Sequence, residues 1–296
     1  MIELEKHLVA EVDEHTRFID YVVGLFPQVM TRSAVKKAIK KGEFLHNGVI
    51  ADTRIWVTVG DAIMLVDQQN QPPKPFPLDI EVVMEDEYCA VVYKPSGLVV
   101  SGNQHRTLVN ALVDELTLSN QPDAYKWGKP VHRLDSATSG LVIVAKTAHA
   151  HGGFGKLFES REIRKTYVAI VQGEVKDQEI ELEIGGKPAQ TQLKVLESVR
   201  SLRNEVLTLI ELTPKSGRTH QLRIHCASIG HPIVGDKLYG IEGEIMNHKG
   251  LFLCAQKLQF LHPISTELTE VAIPIPNKFN ALLKQEERRW TAKNAL

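Results

Sequence analysis

The sequence predicts a protein of mixed α and β structure in two pieces, and three observations carry that expectation. A proline-rich stretch, Gln68–Pro77 (QQNQPPKPFP), interrupts all periodic patterning and has the composition of a semi-rigid extended spacer. Before it, apolar residues at helical spacing precede an Asn-Gly hairpin signal. After it, β-branched strand signals alternate with helical ones to the end of the chain. The boundaries that follow are a small domain over 1–67, a linker over 68–78 and a large domain over 79–296.

In the small domain, Ile19, Val22, Val23 and Phe26 fall at i, i+3, i+4 and i+7 and form one apolar helical stripe, which Phe26-Pro27 ends. Ser33 is positioned to cap a second helix. Its Val35, Ala38 and Ile39 face one way and its Lys36, Lys37, Lys40 and Lys41 the other, with Gly42 as the stop. Asn47-Gly48 between two apolar pairs predicts a tight hairpin. Strands are expected over Ile55–Val59 and Ala62–Val66, separated by a Gly60-Asp61 turn. In the large domain, Ile80–Val83, Ala90–Tyr93, Leu141–Ala145, Tyr167–Val171 and Val206–Leu212 read as strands. Leu108–Leu116 and Thr219–Ile229 read as helices, the latter stopped by Gly230. The alternating acids from Glu174 to Glu183 read as a solvated strand face.

Of the 296 residues, 43% are hydrophobic and 24% charged, which excludes a disordered, collagenous or coiled-coil chain. Cys89, Cys226 and Cys254 are scattered and odd in number, so neither a disulfide framework nor a cysteine zinc site is indicated. The mixed-charge start does not read as a signal peptide, and no apolar run approaches a membrane span. A reduced cytoplasmic protein, monomeric and without membrane attachment, is the expectation. The net charge of −1 speaks against bulk basicity, yet it averages unlike pieces. Arg32–Lys41 holds five basic residues and no acid, and Lys215–Arg223 holds three and no acid. Neutrality is therefore compatible with a confined basic track.

Three polar segments do not read as scaffold. His132-Arg133-Leu134-Asp135-Ser136-Ala137-Thr138-Ser139-Gly140 stands at the mouth of the Leu141–Ala145 strand, where sites are often built. Arg164-Lys165-Thr166-Tyr167 leads into another strand. Lys215–His225 (KSGRTHQLRIH) opens a helix whose Leu222, Cys226 and Ile229 face the core, and whose Arg223 has no local partner. Taken singly, an Asp before a strand is most often a turn residue, and His220 and His225 are ordinary helix-surface residues. A metal site from His132, Asp135 and either His220 or His225 is disfavoured, because the two helical histidines are spaced i, i+5 and point to different faces.

Together the segments resemble the RluA family of RNA pseudouridine synthases. The signature of that family is His-Arg-Leu-Asp, two variable residues, Thr-Ser-Gly, an apolar strand and Ala-Lys, matched here by Val131–Lys146. Lys94-Pro95-Ser96-Gly97-Leu98, Thr107–Leu112, Arg164–Tyr167 with Gly173, Ser216–His225, and Gly230–Asp236 with Tyr239 match further blocks of the family in order, over about Ile80 to Pro263. The first domain is similar to the RNA-binding domain named after ribosomal protein S-four, through Arg17, Asp20, Arg32-Ser33, Gly42, Asn47-Gly48 and Gly60-Asp61. Two positions depart from the pattern: Ser216 stands for the usual Thr, and Ser101-Gly102 for a His-Pro pair.

The resemblance implies an α+β catalytic domain around a mixed, mostly antiparallel sheet with flanking helices and a central cleft, behind a small α+β RNA-binding domain. It implies conversion of uridine to pseudouridine in RNA, with ribosomal RNA of the large subunit favoured and transfer RNA the alternative. A non-catalytic RNA-binding or ribosome-assembly factor is the competing expectation. The reaction imports no group and changes no redox state, so it implies no cofactor and no metal. Asp135 would be the essential carboxylate, serving as base or as nucleophile. Arg223 would hold it ionised in a dry pocket, and Tyr167 would stack on the base and move a proton. Arg133 would fill the space left by the flipped uridine or bind a phosphate. His132, Arg161, Lys165, Lys215 and Arg218, with Arg32, Lys36, Lys37, Lys40 and Lys41 of the first domain, would contact the RNA.

Overall fold

The computed structural model describes the chain except for residues 1, 28, 68–71, 247–248 and 296. It divides into two compact units, Met1–Pro72 and Pro73–Leu296. The first four residues of the expected spacer, 68–71, lie outside the described residues.

The first unit contains β1 (Ile2–Leu8), α1 (Phe18–Tyr21), α2 (Arg32–Lys40), β2 (Phe44–His46), β3 (Val49–Ile50) and β4 (Ala62–Asp67). The strands form an antiparallel sheet in the order β1-β4-β2-β3. Phe18, Val22, Phe26, Val35, Ala38, Ile39, Phe44, Ile63 and Leu65 make its core. Asn47 and Gly48 both adopt positive φ, 49° and 83°, as the two-residue hairpin turn requires. Three expectations are corrected. The first helix is a single turn, because Gly24 turns left-handed (φ 75°) and breaks the ladder; Val23 is consequently 38% exposed and Phe18 takes its place in the core. The cap of α2 is Thr31, whose Oγ1 accepts the Ala34 N–H at 3.1 Å, and not Ser33. Ile55–Val59 is not a strand. It pairs only through an isolated bridge from Trp56 to Arg17 and joins no ladder of the sheet.

The second unit contains β5 (Val82–Glu85), β6 (Cys89–Lys94), α3 (Leu108–Ala111), β7 (Ala124–Pro130), β8 (Ser139–Thr147), α4 (Ala148–Glu159) and β9 (Arg164–Gln172). It continues with β10 (Gln178–Ile184), β11 (Lys187–Ser201), β12 (Glu205–Pro214), α5 (Gln221–Ser228), β13 (Leu253–Leu261), β14 (Leu268–Ala272) and α6 (Asn277–Asn294). One large sheet runs β10-β11-β12-β9-β13-β8-β6-β5, with β14 beside β13 and β7 beside β8. All its pairings are antiparallel except β8 with β13, so the sheet is mixed and mostly antiparallel. Every residue of β8 is buried. Its alternate residues serve two cores on opposite faces: Leu141, Ile143 and Ala145 pack with Phe154, Phe252 and Phe260, while Val142 and Val144 pack with Leu98, Leu108 and Leu134. The expected helix at Leu108–Leu116 stops at Ala111, and Asp114 just beyond it is left-handed (φ 70°). Gly230 closes α5 with φ 82°. The acids Glu179, Glu181 and Glu183 are exposed on the edge strand β10.

The parallel crossing of β8 and β13 depends on Gly140. Its φ is 118°, and a Cβ there would stand 2.2 Å from the Ala255 carbonyl oxygen. Gly140→Ala is expected to cost at least about 2 kcal/mol from backbone strain alone, with the clash in addition. A urea titration reports it, and an unchanged midpoint would refute this account of the crossing.

Candidate active site

Asp135 lies in the turn between β7 and β8, partly buried. The turn is clamped from beneath by the segment after β6. The Nζ of Lys94, wholly buried, donates to the carbonyls of Leu98 (2.7 Å), Pro95 (2.9 Å) and Ser136 (3.3 Å). The Gly97 N–H donates to Ser136 O at 2.7 Å, and Ser96 Oγ to Ala137 O at 2.7 Å. Burial pushes the Lys94 ammonium down to about 8, with the negative charge of Asp135 opposing the shift. The unfolded lysine titrates near 10.5, so between about pH 8 and 10.5 the unfolded chain binds more protons than the folded one. This group's contribution to stability therefore rises with pH over that window. Lys94→Met is expected to lose the rise; parallel stability profiles for the two proteins would contradict the shift.

Arg223 comes from the first turn of α5 and is buried. Its partner is Asp236, which the local sequence did not reveal. Arg223 Nε donates to Asp236 Oδ2 and Nη2 to Oδ1, both at 2.7 Å. Asp236 Oδ1 also accepts the N–H groups of Leu238 (2.9 Å) and Tyr239 (3.1 Å). Burial alone would raise the Asp236 carboxyl; the Arg223 bonds and the two backbone donors outweigh it and hold the group below its ordinary range. The third guanidinium nitrogen, Nη1, stands 3.9 Å from Asp135 Oδ2. Arg223 thus joins a fully buried carboxylate to a cavity-facing one.

Tyr167, near the start of β9, lines the same cavity as Asp135 and Arg223. Burial first, and then the Asp135 charge, push its phenol far above the ordinary tyrosine range, so the hydroxyl stays protonated. His220 precedes α5. Its Nε2 is 3.8 Å from Asp135 Oδ2, and its Nδ1 is 3.0 Å from the Tyr239 hydroxyl. It is also strained: φ is 57° and ψ 18°, a left-handed conformation costing a histidine of order 1 kcal/mol or more.

The cavity encloses about 910 Å³, at the scale of small-ligand pockets. Its walls carry Arg133, Arg161, Lys165, Lys215, Arg218 and Arg223 against the carboxylates of Asp135 and Glu159. Arg133 and Arg161 are exposed at the rim. Lys165 is half-buried, and burial lowers its pKa. Lys215 is already paired with Glu179. Arg218 is positioned by Gln221: the buried Gln221 side chain accepts from Ser216 Oγ (2.7 Å) and the Arg218 N–H (3.0 Å) and donates to Gln190 O and Thr191 Oγ1, both at 3.0 Å. In the first unit, Lys36, Lys37 and Lys40 are exposed on α2 and Lys41 just after it; Arg32 pairs with Asp20, and Lys41 with Glu43.

His132 is tied to the sheet beside the site. Its Nε2 accepts the backbone N–H of Ile143 at 3.0 Å, its ring lies 5.0 Å from Phe158, and burial pushes it down to about 3. A neutral imidazole committed to the sheet anchors the Asp135 turn, and the residue also lines the cavity. Among the described residues the only trio with metal-ligand spacing is Asp86, Cys89 and His262, away from the cavity lining. There His262 Nδ1 accepts from Ser265 and Ile264 N–H, which puts the ring proton on Nε2 and leaves no lone pair for a metal. His220, Asp236, Tyr239, Lys94 and Gln221 were not singled out as site residues from the sequence. All five stand in the blocks that carry the family resemblance, and that was the signal available.

The mixed sheet brings an Asp, an Arg and a Tyr from three separate segments to one cationic cavity, and comparison with known proteins shows that the chain belongs to the RNA pseudouridine synthases. The family described as RNA pseudouridylate synthase matches residues 88–228. The chain is 34% identical to "Ribosomal large subunit pseudouridine synthase D" of Xylella fastidiosa, over 90% of this chain and 88% of the relative. It is 33% identical to the protein of the same name from Nitrosomonas europaea, over 88% and 81%. Among solved structures, "Human RNA Pseudouridylate Synthase Domain Containing 1" matches with a TM-score of 0.57 and 27% identity, over 68% of this chain and 86% of that one.

Proposed function

We propose that this enzyme isomerises specific uridines of large-subunit ribosomal RNA, with Asp135 as the reacting carboxylate, Arg223 as its charge partner and Tyr167 as the group that stacks on the base and handles a proton. The convergence of these three side chains on one cavity is the observation that supports the reading. The uracil leaves its ribose, turns over and rejoins through carbon 5. Asp135 must be ionised to act, and Arg223 Nη1 favours that state while Asp236 neutralises the rest of the guanidinium. Tyr167, kept protonated, brings an apolar ring and a neutral hydroxyl to the same space. The uridine must leave its stack to enter, at a cost of a few kcal/mol, and Arg133 at the rim takes the vacated place. The cations of α2 provide a second contact with RNA. The ribosomal target rests on the names of the Xylella and Nitrosomonas relatives, and the three cysteines, all free and buried, suit a cytoplasmic setting.

Carbodiimide–primer-extension mapping of large-subunit RNA from cells with and without the gene tests this. Loss of a modified uridine, restored by the wild-type protein, is expected; an unchanged map refutes the ribosomal target. The cavity cations are tested by salt titration of RNA binding. Lys165→Gln and Arg218→Gln should each reduce the slope of log K against log salt by about 0.7 to 0.9. Lys215→Gln should do less, since Glu179 already neutralises Lys215.

A further inference from the structure

We infer that His220 and Tyr239 form a positioning pair that helps fix the Asp135 carboxylate at Oδ2, the same oxygen that faces Arg223. This rests on the reading of Asp135 as the reacting group. Four observations carry it. The residue before a helix is ordinarily a short polar side chain that caps the helix, but the His220 side chain makes no cap hydrogen bond. Its backbone is nevertheless held left-handed, a conformation a histidine adopts only when its surroundings demand it. The side chain so displaced points its Nε2 to within 3.8 Å of Asp135 Oδ2. Its other nitrogen meets the Tyr239 hydroxyl at 3.0 Å.

The Tyr239 contact is compatible with the tautomer that Asp135 favours. A neutral imidazole has one N–H. If that proton sat on Nδ1, a lone pair on Nε2 would face the Asp135 carboxylate. If Tyr239 O–H donates to Nδ1, the proton sits on Nε2 and points at Asp135. The second arrangement is the attractive one, so the Asp135 charge favours it and the phenol completes it by donating to Nδ1. Tyr239 is itself fixed twice over: its N–H donates to Asp236, and its ring lies 5.1 Å from the Arg223 guanidinium carbon. The chain of contacts runs from Asp236 through Arg223 to Asp135 on one side and through Tyr239 and His220 to Asp135 on the other. Two separate chains of contacts thus end on the same carboxylate oxygen.

Steady-state kinetics of the full-length enzyme on a transcript of its target RNA test this. His220→Ala is expected to lower kcat about 10- to 100-fold with KM within about twofold of wild type, the usual range for a partner that orients a reacting group. His220→Gln, which keeps an N–H donor, should recover part of the loss. Tyr239→Phe keeps the ring over Arg223 and deletes only the hydroxyl; it should lower kcat about tenfold in the wild-type background and have no further effect in His220→Ala. Losses that simply add in the double variant, or a raised KM with unchanged kcat, overturn the pair. Should His220→Ala fail to fold, His220→Gln and Tyr239→Phe carry the same comparison. Asp135→Asn is assayed beside them: if it stays active, the reading of Asp135 falls, whereas an inactive Asp135→Asn with a fully active Tyr239→Phe sinks the positioning pair alone.

Discussion

Asp135→Asn should lower pseudouridine formation by at least about 10³-fold while leaving RNA affinity within a few-fold of wild type. The two amino acids have nearly the same shape, so the turn between β7 and β8 keeps its clamp: Lys94, Gly97 and Ser96 bind the carbonyls of Ser136 and Ala137, not the Asp135 side chain. What changes is the charge that faces Arg223 Nη1 and the Tyr167 phenol. An amide can neither accept a proton nor attack a carbon as a carboxylate does. The cavity cations are untouched, so the salt dependence of binding should persist. A single-turnover assay with a binding titration on the same RNA makes the separation, and an Asn variant within tenfold of wild-type rate would remove Asp135 from the chemistry. In cells, the same variant should fail to restore the modification map.

Asp236→Asn should be the most damaging of the site changes to stability. Removing one partner of a buried ion pair costs about 3 kcal/mol or more, because the remaining charge stays desolvated. For a unit of this size that corresponds to a fall in Tm of roughly 6–12 °C. Arg223 is 5% exposed and Asp236 1%, so water cannot substitute for the lost charge. Activity should fall as well, since Arg223 is then free to close on Asp135 and the Tyr239 N–H loses a charged acceptor. Asp236→Glu keeps the charge with an added methylene and should fall between the two. A Tm within about 2 °C of wild type for Asp236→Asn would show that the pair is not what holds α5 in place.

The proposed reacting constellation was legible in the sequence because its members sit in dense polar segments that open onto apolar strands. Asp135 before Leu141–Ala145 and Tyr167 within β9 are both of this kind. Arg223 stood out for lacking a local partner, and its partner Asp236 lies thirteen residues away on a loop without periodicity. Nothing in spacing alone links the two. The same holds for His220, which reads as a helix-surface residue until the fold brings Tyr239 and Asp135 to it. Helices were over-extended at Phe26 and Leu116, where Gly24 and Asp114 adopt left-handed backbone that apolar spacing does not report. The converse miss is α4, whose AHAHGGFGKLFE carries three glycines and little helix propensity. It forms because Thr147 caps it, Phe154 is buried beneath it, and Gly153 allows Pro263 to approach where a Cβ would stand at 2.5 Å. The mostly antiparallel order of the sheet followed from the family resemblance, while the parallel seam between β8 and β13 is long-range and left no local trace.

The double service of β8 has a consequence for motion. A strand whose odd residues belong to one core and whose even residues belong to the other cannot open without unzipping both at once. Its amides at Leu141–Ala145 should therefore exchange with solvent deuterium only through global unfolding, among the slowest in the chain. Asp135 stands four residues before that strand. The carboxylate proposed to react is moored to the part of the molecule expected to let go last, so a rearrangement that admits a nucleotide should come from the RNA and the arginine-bearing rim rather than from the floor on which Asp135 stands.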